Sequence, residues 1–174
     1  MKRILLSVFS LVFSVAAMYG QQQVACVNTQ KILEKLPEYT EARQKLDNLK
    51  SQYETTISAE MKKVEILYNS YQSQKSSLSE PQRKAKESEI IAKERAVKEL
   101  QKTYLGQDGE LTKTSAQLLD PLKQKVNGAI VSVAEEMKIL FIFDISSEQG
   151  LLYYSPKSDV TSAVLKKLNI KENQ

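Results

Sequence analysis

The stretch from Pro37 to Pro81, PEYTEARQKLDNLKSQYETTISAEMKKVEILYNSYQSQKSSLSEP, decides the fold. Between its two prolines it holds no proline and no glycine. Apolar residues recur at Tyr39, Ala42, Leu46, Leu49, Tyr53, Ile57, Met61, Val64, Tyr68 and Tyr71, in steps of three and four. That spacing marks one face of a helix. Three consecutive steps of four, from Leu49 to Met61, put a phase slip into the stripe between Tyr53 and Met61. A helix of about 40 residues runs roughly 60 Å at 1.5 Å per residue. Such a rod is too long to lie inside a globule of this chain's size.

Ser76 to Gln82 ends the rod. Ser79 suits a helix N-cap, Gln82 stands three residues on as in a capping box, and Pro81 fits a first turn. A second helix then carries a seven-residue repeat at Ile90, Val97, Tyr104, Leu111 and Leu118, extended by Leu100, Leu122, Val126, Val133 and Met137. A seven-residue apolar repeat means one helix lying along another. With a tight turn between them, the two predict an antiparallel hairpin. A turn at Leu78–Ser79 pairs residues whose numbers total about 158, provided that the coil neither slips nor bulges. Pro37 then faces Pro121, the expected level at which the arm leaves the rest of the chain. Gly106 faces Gln52, and Gly109 faces Leu49, next to the phase slip. A mid-helix glycine costs about 1 kcal/mol relative to alanine. Gly106, Gly109 and Tyr53 therefore mark a candidate hinge; the plainer reading is local fraying at Gln107-Asp108.

Outside this arm the pattern changes. Gln22 to Asn28 alternates as a strand does, and Ile139 to Ile145 (ILFIFDI) is a dense β-forming run. Ser146–Gly150 reads as a turn and Leu151–Tyr154 as a second strand, together a β-hairpin. Thr29–Leu36 reads as a helical turn. Ser158 or Asp159 can cap a last helix through Leu168, with Val160, Val164, Leu165 and Leu168 apolar. Three strands and two short helices bury too little of a sheet, and a strand such as Ile139–Ile145 leaves an open edge. This part is expected to close by oligomerisation.

Residues 1–20 have the layout of a secretory signal peptide: basic Lys2-Arg3, an apolar run from Ile4 to Met18, then small residues. Cleavage fits between Gly20 and Gln21 or after Ala17. The apolar run is shorter than the roughly 20 residues that a membrane-spanning helix needs. Removing 20 of 174 residues leaves about 154, a one-domain length, and removing Lys2 and Arg3 leaves 23 basic against 21 acidic residues, a net charge of +2. That balance and the expected export argue against a nucleic-acid partner. The expected domains are 1–20 as signal peptide, 21–36 with 122–174 as a β-containing body, and 37–121 as a helical arm with its tip near 76–82. The class is α+β.

No catalytic or metal site is expected, nor any cofactor. There is no histidine, so the commonest general base and metal ligand is missing. The single cysteine, Cys26, cannot form an intrachain disulfide, and its apolar setting reads as a small buried hydrophobe. Asp144, Glu148 and Asp159 match no calcium-loop spacing, and turn and cap roles account for the last two. At the tip, Lys75, Arg83, Lys84 and Lys86 make a basic cluster suited to acidic segments or an anionic membrane surface, or simply a solvated coiled-coil end. Tyr71 joins them, near the point where the helices have least to pack against. Tyr53, Tyr68 and Tyr104 read as seam residues. Ile66, Leu67, Ile91 and Leu105 lie off the main stripe and are the better candidates for an exposed apolar face.

In this order of parts the chain resembles the Skp/OmpH family of periplasmic chaperones. The resemblance rests on Val27-Asn28-Thr29-Gln30-Lys31-Ile32-Leu33 with Pro37 beyond, the polar helical hairpin, Leu119-Asp120-Pro121 with Val126, Ile130 and Ala134, Phe141-Ile142-Phe143-Asp144, Leu151-Leu152-Tyr153-Tyr154, and Asp159-Val160-Thr161-Ser162-Ala163-Val164-Leu165. The resemblance implies a homotrimer whose terminal strands build a β-barrel body. Val24, Cys26, Ile139, Phe141, Ile142, Phe143, Leu152 and Tyr154 are then the candidate trimer contacts. It further implies that three arms enclose a cavity in which unfolded outer-membrane β-barrel proteins are held in the periplasm without ATP. Family members are often strongly basic, whereas this chain is nearly neutral. Two other readings stand beside this one: a coiled-coil tether or adaptor of the cell envelope, and an enzyme or accessory subunit.

Overall fold

A computed structural model describes residues 24–146 and 151–171. The expected signal peptide and most of the expected turn at Ser146–Gly150 lie outside the described residues. The chain divides into two compact units: Pro37–Lys123, and the described residues on either side of it.

The middle unit is a helical hairpin. Helix α2 spans Pro37–Gln74 without interruption. Its partner strand is two helices, α3 (Glu80–Leu105) and α4 (Glu110–Met137), the latter passing out of this unit after Lys123. The turn between α2 and α3 is closed by side chains as well as backbone. The Ser77 N–H and hydroxyl both donate to the Gln74 carbonyl, at 2.9 and 2.8 Å. Arg83 Nε donates to the Leu78 carbonyl at 3.0 Å. Gln82 Oε1 accepts from the Ser79 N–H and hydroxyl, both at 2.9 Å, as the S-x-x-Q spacing predicts. The seam buries Ile57 midway along α2, and Tyr71 and Ile90 nearer the tip; towards Pro37 a separate cluster buries Ala42, Leu46 and Leu119, with Tyr39, Leu111, Leu118 and Leu122 packed on it.

At Gly106 and Gly109, where a bend or flexible point was expected, the helix is interrupted over Gly106–Gly109. Gly106 still donates a helical bond to the Lys102 carbonyl at 2.9 Å, then turns to an extended ψ of 171°. A Cβ on Gly106 would run into the Lys102 carbonyl, and one on Gly109 would lie 2.8 Å from the Gly106 nitrogen. Both glycines are therefore required by close backbone approach.

The other unit is built on two parallel strands. β1 (Val24–Val27) pairs with β2 (Phe141–Asp144) in the register Val24↔Phe141 to Val27↔Asp144. On its other edge β1 meets the segment leading to the last helix, through a bridge from Cys26 to Asp159 and a 2.9 Å bond from Val160 N–H to the Cys26 carbonyl. Helix α1 (Thr29–Glu34) packs on α5 (Thr161–Lys167), and Val27, Ile32, Leu36, Val164 and Leu165 are the most deeply buried side chains. Helix α4 adds Val126, Ala129 and Val133 to the buried set. It ends at Lys138 in a left-handed conformation (φ 55°), with Ile139 N–H bonded back to Ala134 and Lys138 N–H to Glu135. Those two bonds are a Schellman cap.

The expected β-hairpin of Ile139–Ile145 with Leu151–Tyr154 does not form. Leu151–Tyr154 has no ladder partner among the described residues. Beyond it the chain returns to the free edge of β1, through Asp159 and Val160.

Candidate functional site

The β-containing unit presents its largest apolar residues to the outside. Phe141 and Phe143 on β2 are exposed, as are Val24, Leu140, Leu151, Leu152, Tyr153 and Tyr154. Leu152 is 101% and Tyr153 81% exposed, as open as in an extended chain. Two-stranded parallel sheets are rare because parallel strands ordinarily need both faces covered. Here the outer edge of β2 is unpaired among the described residues, and the aromatic side chains beside it are uncovered. Of the eight expected trimer contacts, Val24, Phe141, Phe143, Leu152 and Tyr154 are exposed, and Ile142 is half-buried. Cys26 and Ile139 are buried within the chain itself. Cys26 Sγ lies 3.7 Å from the Ser158 hydroxyl, so it packs in the core and presents no surface.

Two polar contacts hold β1, α1, β2 and α5 together, and the sequence reading missed both. Asp144 Oδ2 accepts the Thr29 hydroxyl at 2.5 Å, while Oδ1 accepts the Thr29 N–H at 3.2 Å and the Ser146 N–H at 2.9 Å. Partial burial pushes the Asp144 carboxyl up, but these bonds outweigh it and hold the group below the usual carboxylate range. Thr161 is buried; its hydroxyl accepts the Asn28 N–H at 2.9 Å and donates to Asp159 Oδ1 at 2.5 Å. Asp144 was weighed only with Glu148 and Asp159 as a carboxylate set, and only the parallel pairing of β1 with β2 brings it to Thr29. Among the described residues no group of three or more His, Cys, Asp or Glu could hold a metal ion.

On the hairpin, the expected tip cluster is only partly a free surface. Arg83 closes the turn through Leu78. Lys75 Nζ lies 5.6 Å from the centre of the Tyr71 ring. Lys84 and Lys86 make loose contacts with Glu80 and Glu89, at 3.9 and 3.8 Å. Tyr71 itself corrects the sequence reading. It is 4% exposed, and its hydroxyl donates to the Glu87 carboxylate across the hairpin. That bond to an anion raises the phenol above its ordinary pKa. The tip turn folds tightly enough for the seam to continue up to it, so Tyr71 is a packing residue and not a contact surface.

Tyr53 and Tyr104 stack, with centroids 4.1 Å apart and planes 13° apart, as seam residues should. Tyr68, expected beside them, is about half exposed. Ile66 and Ile91 are exposed as expected, whereas Leu67 and Leu105 are half-buried. Between Ile57 and Tyr71 the seam is thin. Val64 and Val97 line two open grooves there. One, of about 460 Å³, is lined by Leu67, Ala96 and Leu100 with Glu60, Lys63, Glu89 and Lys93 on it; the other, of about 330 Å³, by Met61 with Glu94, Lys98 and Gln101. Both are apolar clefts edged by both signs of charge.

These features define a class: a long two-helix hairpin joined to a small α+β unit with an uncovered apolar sheet. A sequence profile of the family described as outer membrane protein (OmpH-like) matches residues 23–168, and the chain belongs to that family. An uncharacterized protein of Aquifex aeolicus (strain VF5) is 30% identical over 169 residues, which cover 97% of this chain and 99% of that one. The fold is similar to the crystal structure of an OmpH-like chain from Caulobacter crescentus CB15, described as a candidate outer membrane chaperone. The TM-score is 0.64 at 15% identity, over 89% of each chain.

Proposed function

We propose that this chain is an exported periplasmic holdase. It would assemble as a homotrimer through its β-containing unit and keep unfolded outer-membrane β-barrel proteins soluble without ATP. The observation that carries the reading is the β2 edge, unpaired among the described residues, together with the exposed Phe141 and Phe143 on it and the exposed Leu151–Tyr154, in a chain of the OmpH-like family. A parallel sheet open in this way calls for copies of itself to cover it, because an exposed strand edge otherwise recruits aggregation. The grooves beside Val64 and Val97 suit the clients. A β-barrel strand offers apolar side chains at every second residue, and shallow apolar clefts edged with mixed charge bind such chains by many weak, releasable contacts. The near-neutral charge makes this capture apolar more than electrostatic. An anionic membrane surface is a secondary candidate partner for Lys75, Lys84 and Lys86 at the tip.

The test is light-scattering mass on residues 21–174, alone and with an outer-membrane β-barrel protein diluted from urea. A trimer that gains one client mass and keeps the client in solution is the expected result. A monomer or dimer that leaves the client to aggregate overturns the holdase reading and leaves an envelope tether or adaptor.

A further inference from the structure

Asn127 and Gly128 stand side by side within α4, and they are the chain's one Asn-Gly pair. An asparagine followed by glycine is prone to react with its own backbone. The Gly128 nitrogen, giving up its proton, attacks the Asn127 side-chain carbonyl carbon, Cγ. A bond forms between that nitrogen and Cγ, the bond from Cγ to the amide nitrogen breaks, and ammonia leaves with the proton. The product is a cyclic succinimide. Water adds to either of its carbonyl carbons and opens it, to aspartate or to isoaspartate. One water enters and one ammonia leaves, with no oxidant, reductant or enzyme. Glycine eases the attack because it has no Cβ to crowd the nitrogen and few limits on its backbone angles.

Packing within the chain does not call for this glycine. A Cβ on Gly128 would meet nothing within 4 Å, whereas at Gly106 and Gly109 it would run into backbone. Asn127 and Gly128 are both exposed. The other described asparagines are poorer sites. Thr29 and Ile170, which follow Asn28 and Asn169, are β-branched, and the Asn28 side chain is occupied by the Lys31 N–H. Asn48 and Asn69 lie within α2 and precede Leu49 and Ser70.

The fold holds the reaction shut. Ring closure needs Cβ, Cα and the carbonyl carbon of Asn127 to lie near one plane with the Gly128 nitrogen. A helical ψ of about −42° keeps them well out of it. Inside the helix the Gly128 N–H is also committed to the carbonyl four residues back, that of Gln124. Both constraints belong to the helix and not to the pair itself. The helix is pinned at this level by Val126, Ala129 and Val133, all buried.

We propose that Asn127–Gly128 is a fold-gated self-modification site, closed while α4 is helical and packed, and open whenever this part of the chain unfolds. The isoaspartate product reroutes the main chain through the side chain and adds a methylene to the backbone between Val126 and Ala129. Those two residues then no longer fall on one helical face, so a chain that has reacted does not rebuild the buried set. The site is a one-way record of unfolding. This holds whether or not the chain is a holdase.

The full chain, incubated in mildly alkaline buffer with and without guanidinium chloride, tests it. Peptide mapping by mass spectrometry follows each asparagine, and an isoaspartate-specific methyltransferase separates isoaspartate from aspartate. In guanidinium Asn127 is expected to convert faster than Asn48 and Asn69. In native buffer it should convert at least about tenfold more slowly, the factor that about 1.4 kcal/mol of local protection gives. Gly128→Ala should bring conversion in guanidinium down to the level of Asn48 and Asn69, a readout that does not depend on how that variant folds. Chains with isoaspartate at position 127, diluted out of guanidinium, should fall short of the native far-UV helical signal. Asn127→Asp, which carries the new charge on an ordinary main chain, should reach it. Equal rates in native buffer and guanidinium overturn the gate. Conversion in guanidinium no faster than at Asn69 overturns the site. An isoaspartate chain that regains the native signal and midpoint overturns the one-way record.

Discussion

Asp144, at the end of β2, takes both the hydroxyl and the backbone N–H of Thr29, at the start of α1, on its two carboxylate oxygens. A parallel pair needs such a tie, because no tight turn joins its strands. Asp144→Ala should therefore destabilise the chain by about 1–2 kcal/mol, the lower part of the range for bonds to a charged group given its partial exposure. The pH dependence follows from the same contact. The folded carboxyl lies below its unfolded value, so the contribution is complete above about pH 5 and is lost as pH falls through the folded pKa. Denaturant melts of wild type and Asp144→Asn should differ at pH 7 and converge towards pH 3.

Thr161 offers a sharper version of the same argument. Its buried hydroxyl serves the Asn28 N–H and Asp159 together. Thr161→Val keeps the shape and leaves a backbone donor unsatisfied, which costs about 1–3 kcal/mol. Thr161→Ser keeps the bonds and should lose less. Equal midpoints for the Val and Ser variants would show that the hydroxyl is not structural.

The cap at Lys138 predicts a gain. A non-glycine residue in the left-handed region costs roughly 1–2 kcal/mol, offset in part by the extra freedom that glycine brings to the unfolded chain. Lys138→Gly should raise the denaturation midpoint by an amount equivalent to about 0.5–1 kcal/mol. A lowered midpoint would mean that Lys138 makes an interaction of its own.

The helices and the tip were legible in the sequence because their signals are local. A stripe of threes and fours, Ser79 with Gln82, and Pro81 each act within one or two turns. The small unit was legible only in part. Ile139–Ile145 announces a strand, but its partner is more than a hundred residues away, and no local pattern says whether β1 or Leu151–Tyr154 will pair with it. Hence the hairpin expected there was wrong, while the polar ties at Thr29–Asp144 and Asn28–Thr161 went unseen. Tyr71 was misread for a related reason. Its fate depends on how tightly the turn closes, which Arg83 and Ser77 decide through backbone carbonyls that a sequence does not display.

Tyr71 therefore makes a direct prediction about the tip. Tyr71→Ala removes a nearly buried ring from a two-helix seam that has few buried residues nearby, and should cost about 2–4 kcal/mol, somewhat below the range for an aromatic in a full core. Tyr71→Phe loses only the bond to Glu87, whose carboxylate is exposed and is rehydrated, so the change should be under about 1 kcal/mol. Hydrogen exchange at residues 68–90 is the measurement. Protection lost in the Ala variant and kept in the Phe variant is expected; protection kept in both would place the tip's stability elsewhere.

The assembly proposal is best tested at Phe143. Ile142 is half-buried, so Ile142→Asp would strain the fold and the proposed interface together and could not separate them. Phe143 is 53% exposed on the uncovered sheet, and within one chain it has comparatively little to lose. Phe143→Ser should leave the far-UV spectrum and the monomer's thermal midpoint nearly unchanged. If three copies cover this surface, burying each ring stabilises assembly by roughly 1.5–3 kcal/mol per chain. The variant trimer should then dissociate at concentrations where the wild type stays intact. Sedimentation velocity across a dilution series reads this directly. A variant that remains trimeric with an unchanged dissociation range would show that the exposed β2 aromatics are not the contact, and the grooves of the hairpin would become the next surface to examine.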